Sequence, residues 1–554
     1  FEDAGGVWGL DTKKTQEEVW QRVTGEKLND WHEAGTGLTT QKPAVLCIGQ
    51  AGERQSRMAI SVMGTGGVKI ASPQGLIESW LWHRAGFQYN VDEPRRESPI
   101  SNFSDYWTVS FMPGSATLTS TTEPCRPHAC QGCAMACNRR TISGLSNESF
   151  CMTTIWPLTN VFPPEAAEAI EARTAYTGEF PGSLLERSDL WNLSRSRFRL
   201  SDLLDEFGIN SYEMLVADVY LINLFLLGVA GPGKPVDTDL PFDKWSTPEF
   251  KESLIRMIVE RNGIGNDLAE GVARAAEKWG RYKEDTDSGL LNLMCWGYME
   301  HNDPAAEVDF SYGSLLGERD CNDHSFNLPV HQIPRVADIS GTEPVLSAEE
   351  LAEILSRKVL PYDGDPFMFD YGDGPTGIYS EHRVKTTAWL RHYTRFWTES
   401  AGYCDFLWPN FINLNAPDML GATPDGEARF LNAVTGKEMS FVEGIELGRK
   451  IWNLDRAVWV LQGRHRDMEV FSGYVYSKPI ERPHFLPVYE KTGWQYADNV
   501  GRTLDRSRFE EWKTKYYEFE GWDPHSGRPT RRTLEGLGLG KVADALQNEE
   551  KLEK

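Results

Sequence analysis

Ala129-Cys130-Gln131-Gly132-Cys133-Ala134-Met135-Ala136-Cys137 places three thiols at C-x2-C-x3-C spacing, and a lone Cys404 stands far downstream. Three thiolates so spaced reach one small inorganic core. A fourth can come from any segment that folding brings close. Four cysteine sulfurs are how a [4Fe–4S] cluster is held. A short C-x2-C also holds zinc, although structural zinc usually pairs two such knuckles and no second one follows here. Plain buried cysteines are the third reading. The spacing favours iron–sulfur over the other two and points to redox chemistry.

Outward from that stretch, helical periodicity dominates. Met214 to Val229 is apolar but broken by Asp218 and Asn223, which reads as a buried helix of a soluble protein. Ser253 to Trp279 carries Leu254, Ile258, Leu268, Val272 and Ala276 at helical spacing, interrupted by Asn262-Gly263-Ile264-Gly265. That pattern predicts a helix, a glycine-capped turn and a second helix. Phe509, Trp512, Tyr516 and Phe519 recur on one helical face, with Leu504-Asp505-Arg506-Ser507 as its start and Gly521-Trp522-Asp523-Pro524 as its end. Before residue 95 the signals differ. Ala44-Val45-Leu46-Cys47-Ile48-Gly49 reads as a short buried strand, and Gly64-Thr65-Gly66-Gly67 as a turn. Pro329 to Pro344 is rich in turn residues and marks a candidate boundary.

Composition narrows the function. With 554 residues the chain has room for several domains and a large core. Its formal net charge of −24 argues against a nucleic-acid partner, because phosphate binding needs clustered Lys and Arg. The nine cysteines are odd in number and unevenly placed, so a disulfide scaffold is not expected and a reducing, cytoplasmic setting is. No apolar run reaches the roughly 20 residues of a membrane helix, so no membrane span is expected. The chain starts at Phe1, which suggests a missing or processed N-terminus; no signal peptide is visible.

Five strings, in order, then carry a resemblance: Ala129 to Cys137, Arg261-Asn262-Gly263-Ile264-Gly265 through Leu268-Ala269-Glu270-Gly271-Val272, Glu399-Ser400-Ala401-Gly402-Tyr403-Cys404, Leu431 to Gly436 with Arg449 to Arg456, and Gly521 to Leu539. The chain resembles the tungsten- or molybdenum-pterin aldehyde:ferredoxin oxidoreductase family over most of its length. The resemblance implies an α+β fold: a remnant of a β-rich N-terminal pterin-binding domain over residues 1–95, then a mostly helical domain over 96–335 with the cluster motif and first pterin segment. A second mostly helical domain over 336–554 would hold the second pterin segment and the fourth cluster cysteine. It further implies a [4Fe–4S] cluster on Cys130, Cys133, Cys137 and Cys404, and a tungsten (or molybdenum) bis-pterin. Asp303 would contact one pterin, and Glu399, Ser400, Gly402 and Tyr403 the other. A carboxylate in such a place can accept hydrogen bonds from pterin N–H groups; Glu399 replaces the family's usual Asp. Electrons would pass to or from ferredoxin or an iron–sulfur partner subunit.

The sequence departs from the family's pattern in two places. The family's glycine-rich pterin segment should follow Ala51-Gly52-Glu53, but Ser61-Val62-Met63-Gly64 comes too soon. Where aldehyde-oxidising members carry two glutamates, this chain has Ser149-Phe150-Cys151-Met152-Thr153-Thr154-Ile155. A Cys151 thiolate as metal ligand is similar to the class II benzoyl-CoA reductase branch, as is Ser311 to Asp320; a small buried residue is the plain alternative for Cys151. His301 and His324 flank the pterin-type segments and are candidates for proton transfer. Three functions follow as expectations: oxidation of a small carbonyl substrate, reduction of an aromatic acyl-CoA, or electron transfer by a cofactor-poor subunit.

Overall fold

The structure is a computed structural model, described for residues 125–128 and 138–141 and, with short interruptions, for 200–552. The fold of these residues is α+β with helix predominating. The strand expected near Ala44 and the β-rich remnant over 1–95 lie outside the described residues. Two antiparallel hairpins supply the sheet. β1 (Cys125–His128) pairs with β2 (Asn138–Thr141), with His128 opposite Asn138.

The first helical group comprises α1 (Ser211–Leu226), α2 (Pro248–Val259) and α3 (Val272–Lys278). Its core gathers Leu204, Leu221, Leu224, Phe250, Leu254 and Ala276, all nearly inaccessible. Asp218 lies on the buried face of α1 and pairs with the equally buried Lys251 of α2. The expected second helix of the 253–279 stretch is broken: a single turn at Gly265–Leu268 stops at Gly271, whose φ of 101° is open to glycine, and α3 starts afresh. Gly265 is tightly placed, since a methyl there would overlap the backbone carbonyl of Met257.

A second, larger core is built from α4 (Val308–Leu316), α5 (Ala348–Ser356), α6 (Glu381–Tyr393), α7 (Gly426–Thr435), α8 (Phe441–Leu461), β3 (Phe485–Glu490), β4 (Gly493–Asp498) and α9 (Arg506–Glu520). Its centre is aromatic, with Trp389, Trp397, Trp452 and Trp512 fully buried. Trp397 stacks on Phe441 at 5.4 Å. Ala305, Val308, Tyr312, Val330 and Ile333 pack into this core with residues of α5, α6 and α9.

Local chemistry sets the helix ends. Ser347 and Glu350 form a capping box on α5, and Ser440 and Glu443 one on α8, each satisfying two backbone donors. Asp505 caps α9 through the amides of Ser507 and Arg508, and Gly521 ends it in the left-handed region at φ 77°. Phe509, Trp512 and Tyr516 on α9 are fully buried, as the spacing predicts, while Phe519 is only half covered.

Candidate cofactor site

The segment 399–404 leaves from the end of α6, and the chain there abandons α-helical geometry. Thr394–Thr398 is a π turn. The Glu399 amide donates to the Thr394 carbonyl (2.9 Å) and the Ala401 amide to that of Phe396 (2.8 Å), both five residues back. Such π turns sit disproportionately at functional positions. Gly402 then takes φ 79°, which a side chain would strain, and the Tyr403 amide donates to the Trp397 carbonyl at 3.2 Å. The sequence Glu399-Ser400-Ala401-Gly402 is thus a tight exit from a widened helix turn.

Each side chain of this exit has a defined place. Glu399 binds Arg395 one turn back through Oε2 at 2.7 Å. Its side chain is 29 % exposed, and among the described residues its other oxygen has no partner. Arg395 also binds Asp455 of α8 at 3.0 Å. The Ser400 hydroxyl donates to the Arg395 carbonyl at 2.7 Å. Tyr403 is buried, and its hydroxyl donates to the backbone carbonyl of Glu427 in the first turn of α7 at 2.6 Å.

Behind the exit lies a buried polar cluster. The Lys358 ammonium donates to Glu427 Oε2 (2.5 Å) and the Pro424 carbonyl (2.9 Å), and stands 4.2 Å over the Phe441 ring. The Tyr393 hydroxyl donates to Glu427 Oε1 at 2.8 Å. Burial presses the Lys358 amine below its usual range, with Glu427 opposing. One residue before Tyr393, His392 meets the buried Glu520 of α9 at 2.7 Å. Burial alone would raise the Glu520 carboxyl, but His392 and Arg449 outweigh it and hold the carboxyl low.

A second polar cluster lies just past the other expected pterin segment. Asp309, in the first turn of α4, is fully buried and receives the His331 ring nitrogen (3.1 Å) and the Tyr371 hydroxyl (2.8 Å). Arg383 stacks on Tyr371 at 4.4 Å. Burial opposes both charges of the Asp309–His331 pair, yet their attraction wins: the carboxyl lies below, and the imidazole above, its ordinary value.

The structure therefore describes Glu399, Ser400, Gly402 and Tyr403 and brings them together. Cys130, Cys133, Cys137, Cys151, Cys404, His301, Asp303 and His324 lie outside the described residues. The three cysteines of 130–137 do belong to the nine-residue connection between β1 and β2, whose ends face each other at strand spacing. Arg395, Lys358, Tyr393 and Glu427 were not singled out from sequence. Only the Arg395–Glu399 pair had a visible signal, opposite charges four residues apart.

The family model for aldehyde ferredoxin oxidoreductase, domains 2 and 3, matches residues 81–539. The chain belongs to the aldehyde ferredoxin oxidoreductase family. Among curated relatives, it is 23 % identical over 305 residues to a tungsten-containing aldehyde ferredoxin oxidoreductase of Pyrococcus furiosus, a match covering 55 % of this chain and 39 % of that protein. It is 22 % identical over 341 residues to the Pyrococcus horikoshii protein of the same description, covering 60 % and 44 %. The matched stretch thus spans less than half the length of these relatives. Among solved structures, the active site complex BamBC of benzoyl coenzyme A reductase in complex with 1,5-dienoyl-CoA is similar at a TM-score of 0.44 and 16 % identity, over 86 % of this chain and 60 % of that one. Among the described residues, no helix is long and apolar enough to cross a membrane.

Two features bear on whether the expected groups fit. Four cysteine thiolates suit a [4Fe–4S] cluster and structural zinc alike, and the four expected here lie outside the described residues. At the expected pterin segment, Glu399 retains one carboxylate oxygen without a partner among the described residues, on a partly exposed side chain, as an acceptor for a ring N–H requires. That carboxylate fits the expected group.

Proposed function

We propose that this chain is a tungsten-pterin, [4Fe–4S] oxidoreductase acting on a carbonyl or acyl carbon and exchanging electrons with ferredoxin or an iron–sulfur partner subunit. The observation that carries the reading is the exit at 399–403: a π turn, a left-handed Gly402 and a Glu399 carboxylate with one free oxygen, leading directly into Cys404. It stands inside the family match and agrees with the relatives' description as tungsten-containing.

When bound, the metal–pterin group supplies a two-electron centre and the cluster a one-electron relay. The chain's own residues bind and orient. Cys130, Cys133, Cys137 and Cys404 would hold iron as thiolates. Glu399 and Asp303 would each accept N–H hydrogen bonds from a pterin edge, with Arg395 fixing the rotamer of Glu399. Gly402 lets the backbone approach without a Cβ. His301 or His324 would carry a proton to or from the substrate oxygen.

A second reading rests on Cys151. A thiol where aldehyde-oxidising members carry carboxylates suits a metal thiolate bond and reduction of an aromatic acyl-CoA. Turnover of benzoyl-CoA against turnover of simple aldehydes separates the two.

The test is metal analysis of anaerobically purified full-length protein. About four irons and one tungsten or molybdenum per chain support the proposal. Iron alone reduces the chain to an electron-transfer subunit, and zinc alone overturns the reading of the cysteines.

A further inference from the structure

We propose that the cavity between the start of α1 and the turn at Gly271 binds a small organic cation, a protonated primary amine with an apolar body, and that Glu213 holds its ammonium group. The inference depends on neither the cluster nor the pterin.

The cavity is built largely by a stretch that the cofactor site does not use. Of the family-like string Arg261 to Val272, Arg261 and Leu268 to Val272 line a cavity of 560 Å³, a volume within the roughly 300–1,000 Å³ of small-molecule sites. The rest of the lining comes from the turn before α1, the first half of α1 and the end of α2. The walls are mainly apolar, with Phe207, Ile209, Met214, Ala217, Ile258 and Leu268 among them. Phe207 and Val259 keep 37 % and 42 % of their surface exposed.

One carboxylate is set into these walls. Glu213, in the first turn of α1, accepts the Val272 amide on Oε1 at 2.7 Å and so caps α3 from outside. Its second oxygen has no partner among the described residues. Burial pushes the carboxyl above its usual range, against the pull of the Val272 amide. Arg261 is not its counter-ion. Arg261 holds φ 52°, a left-handed position that glycine usually takes, and its guanidinium pairs with Glu270 at 2.7 Å. Glu270 also meets Arg274 at 3.7 Å. Glu213 is therefore the one charge of the lining without an opposite partner among the described residues. An ionised carboxylate only accepts hydrogen bonds. Set in apolar walls, it calls for a ligand with N–H donors at one end and an apolar body behind them. A charged donor makes the stronger hydrogen bond, which selects an ammonium over a neutral amide or alcohol and disfavours an anion.

The experiment is calorimetric titration of benzylamine, and of its neutral counterpart benzyl alcohol, into full-length protein at about pH 7, where the amine is protonated. The expected result is one-to-one binding of benzylamine with a Kd of about 1 mM or below, and binding of the alcohol at least about tenfold weaker. E213Q is the paired variant. Its amide oxygen still accepts from Val272, so α3 keeps its cap and the thermal midpoint should hold, while affinity for benzylamine falls at least about tenfold. Loss of benzylamine binding with an unchanged midpoint supports the site, because a purely structural Glu213 would not produce it. No binding of benzylamine, equal binding of the alcohol, or the same benzylamine affinity in E213Q would each overturn the proposal. The comparison of amine with alcohol needs no variant and decides the matter even if E213Q does not fold.

Discussion

Helix α8 packs flush against the end of α6, and the contact depends on two glycines one turn apart. A methyl built on Gly448 falls far inside 3.0 Å of the His392 carbonyl and 3.1 Å from the His392 Cα, while one built on Gly444 overlaps the indole of Trp397. The atoms facing Gly448 are backbone of a buried helix and cannot swing aside. Gly448→Ala therefore forces α8 and α6 apart at the turn from which 399–404 departs. Overpacking a filled core costs about 1–3 kcal/mol, and the clash with backbone argues for the upper end. The gain in helix propensity returns about 1 kcal/mol, so the expected net loss is about 2 kcal/mol. Gly536→Ala is the control: Gly536 closes a short helix, with no positive φ and nothing within 4 Å of its missing Cβ. It should be neutral or stabilising by a few tenths of a kcal/mol. The assay is denaturant unfolding of both variants under one protocol, with iron content measured on the same samples. If Gly448→Ala matches the unmodified protein while keeping its iron, the flush contact does not hold the site and this reasoning fails.

Three other outcomes are expected. His331 has a raised pKa and Asp309 a lowered one. The stabilisation of His331 is thus complete below its ordinary 6.5 and lost as pH rises through the raised value, while that of Asp309 is complete above 3.8 and lost as pH falls through the lowered value. The stability gap between the protein and His331→Gln should be widest between those pH values and shrink in alkali; a gap flat with pH would contradict the ion pair. Glu469→Gln strips the partner from buried Arg456 and from Arg464, and should cost about 3–5 kcal/mol in denaturant unfolding. Glu399→Ala removes only a partly exposed pair, worth at most about 1 kcal/mol. It should keep iron and stability but lose tungsten or molybdenum in metal analysis, and retention of the metal would count against the pterin contact.

Family membership was legible because five short strings, each weak alone, occur in one order. The long amphipathic elements were legible too. The α9 face of Phe509, Trp512 and Tyr516 is a periodic signal, and Asp505 and Gly521 mark its ends as caps. The rest was hidden for identifiable reasons. Asp218 looked like an interruption of an apolar run, and its partner Lys251, 33 residues away, makes it part of the core. Gly271 sits within a helical pattern, but nothing local reveals that its φ is positive. Lys358 and Glu427 are 69 residues apart, and Glu427 resembles an ordinary acidic residue in a first helical turn. A π turn shifts the phase of the apolar pattern by one residue and leaves composition unchanged, a signal too short to separate from an ordinary helix end.

The buried charges around the end of α6 have a common logic. His392 binds Glu520 of α9, Tyr393 binds Glu427 of α7, and Arg395 binds Asp455 of α8. Three of four successive residues thus tie one helix end to three different helices. Apolar contacts such as Trp397 on Phe441 could hold these helices together, but they are non-directional and tolerate rotation or sliding by a fraction of a turn. The buried Glu520 and Glu427 carboxylates do not tolerate it, because moving out of reach leaves a buried group unpaired at a cost of several kcal/mol, whereas the partly exposed Asp455 holds less strongly. The π turn rotates the chain away from this fixed point by one residue more than an α-helix would, and Gly402 then redirects it. The position at which Tyr403 leaves the turn is therefore set from three sides, which is the rigidity that the proposed role of the next residue, Cys404, as a cluster ligand would need.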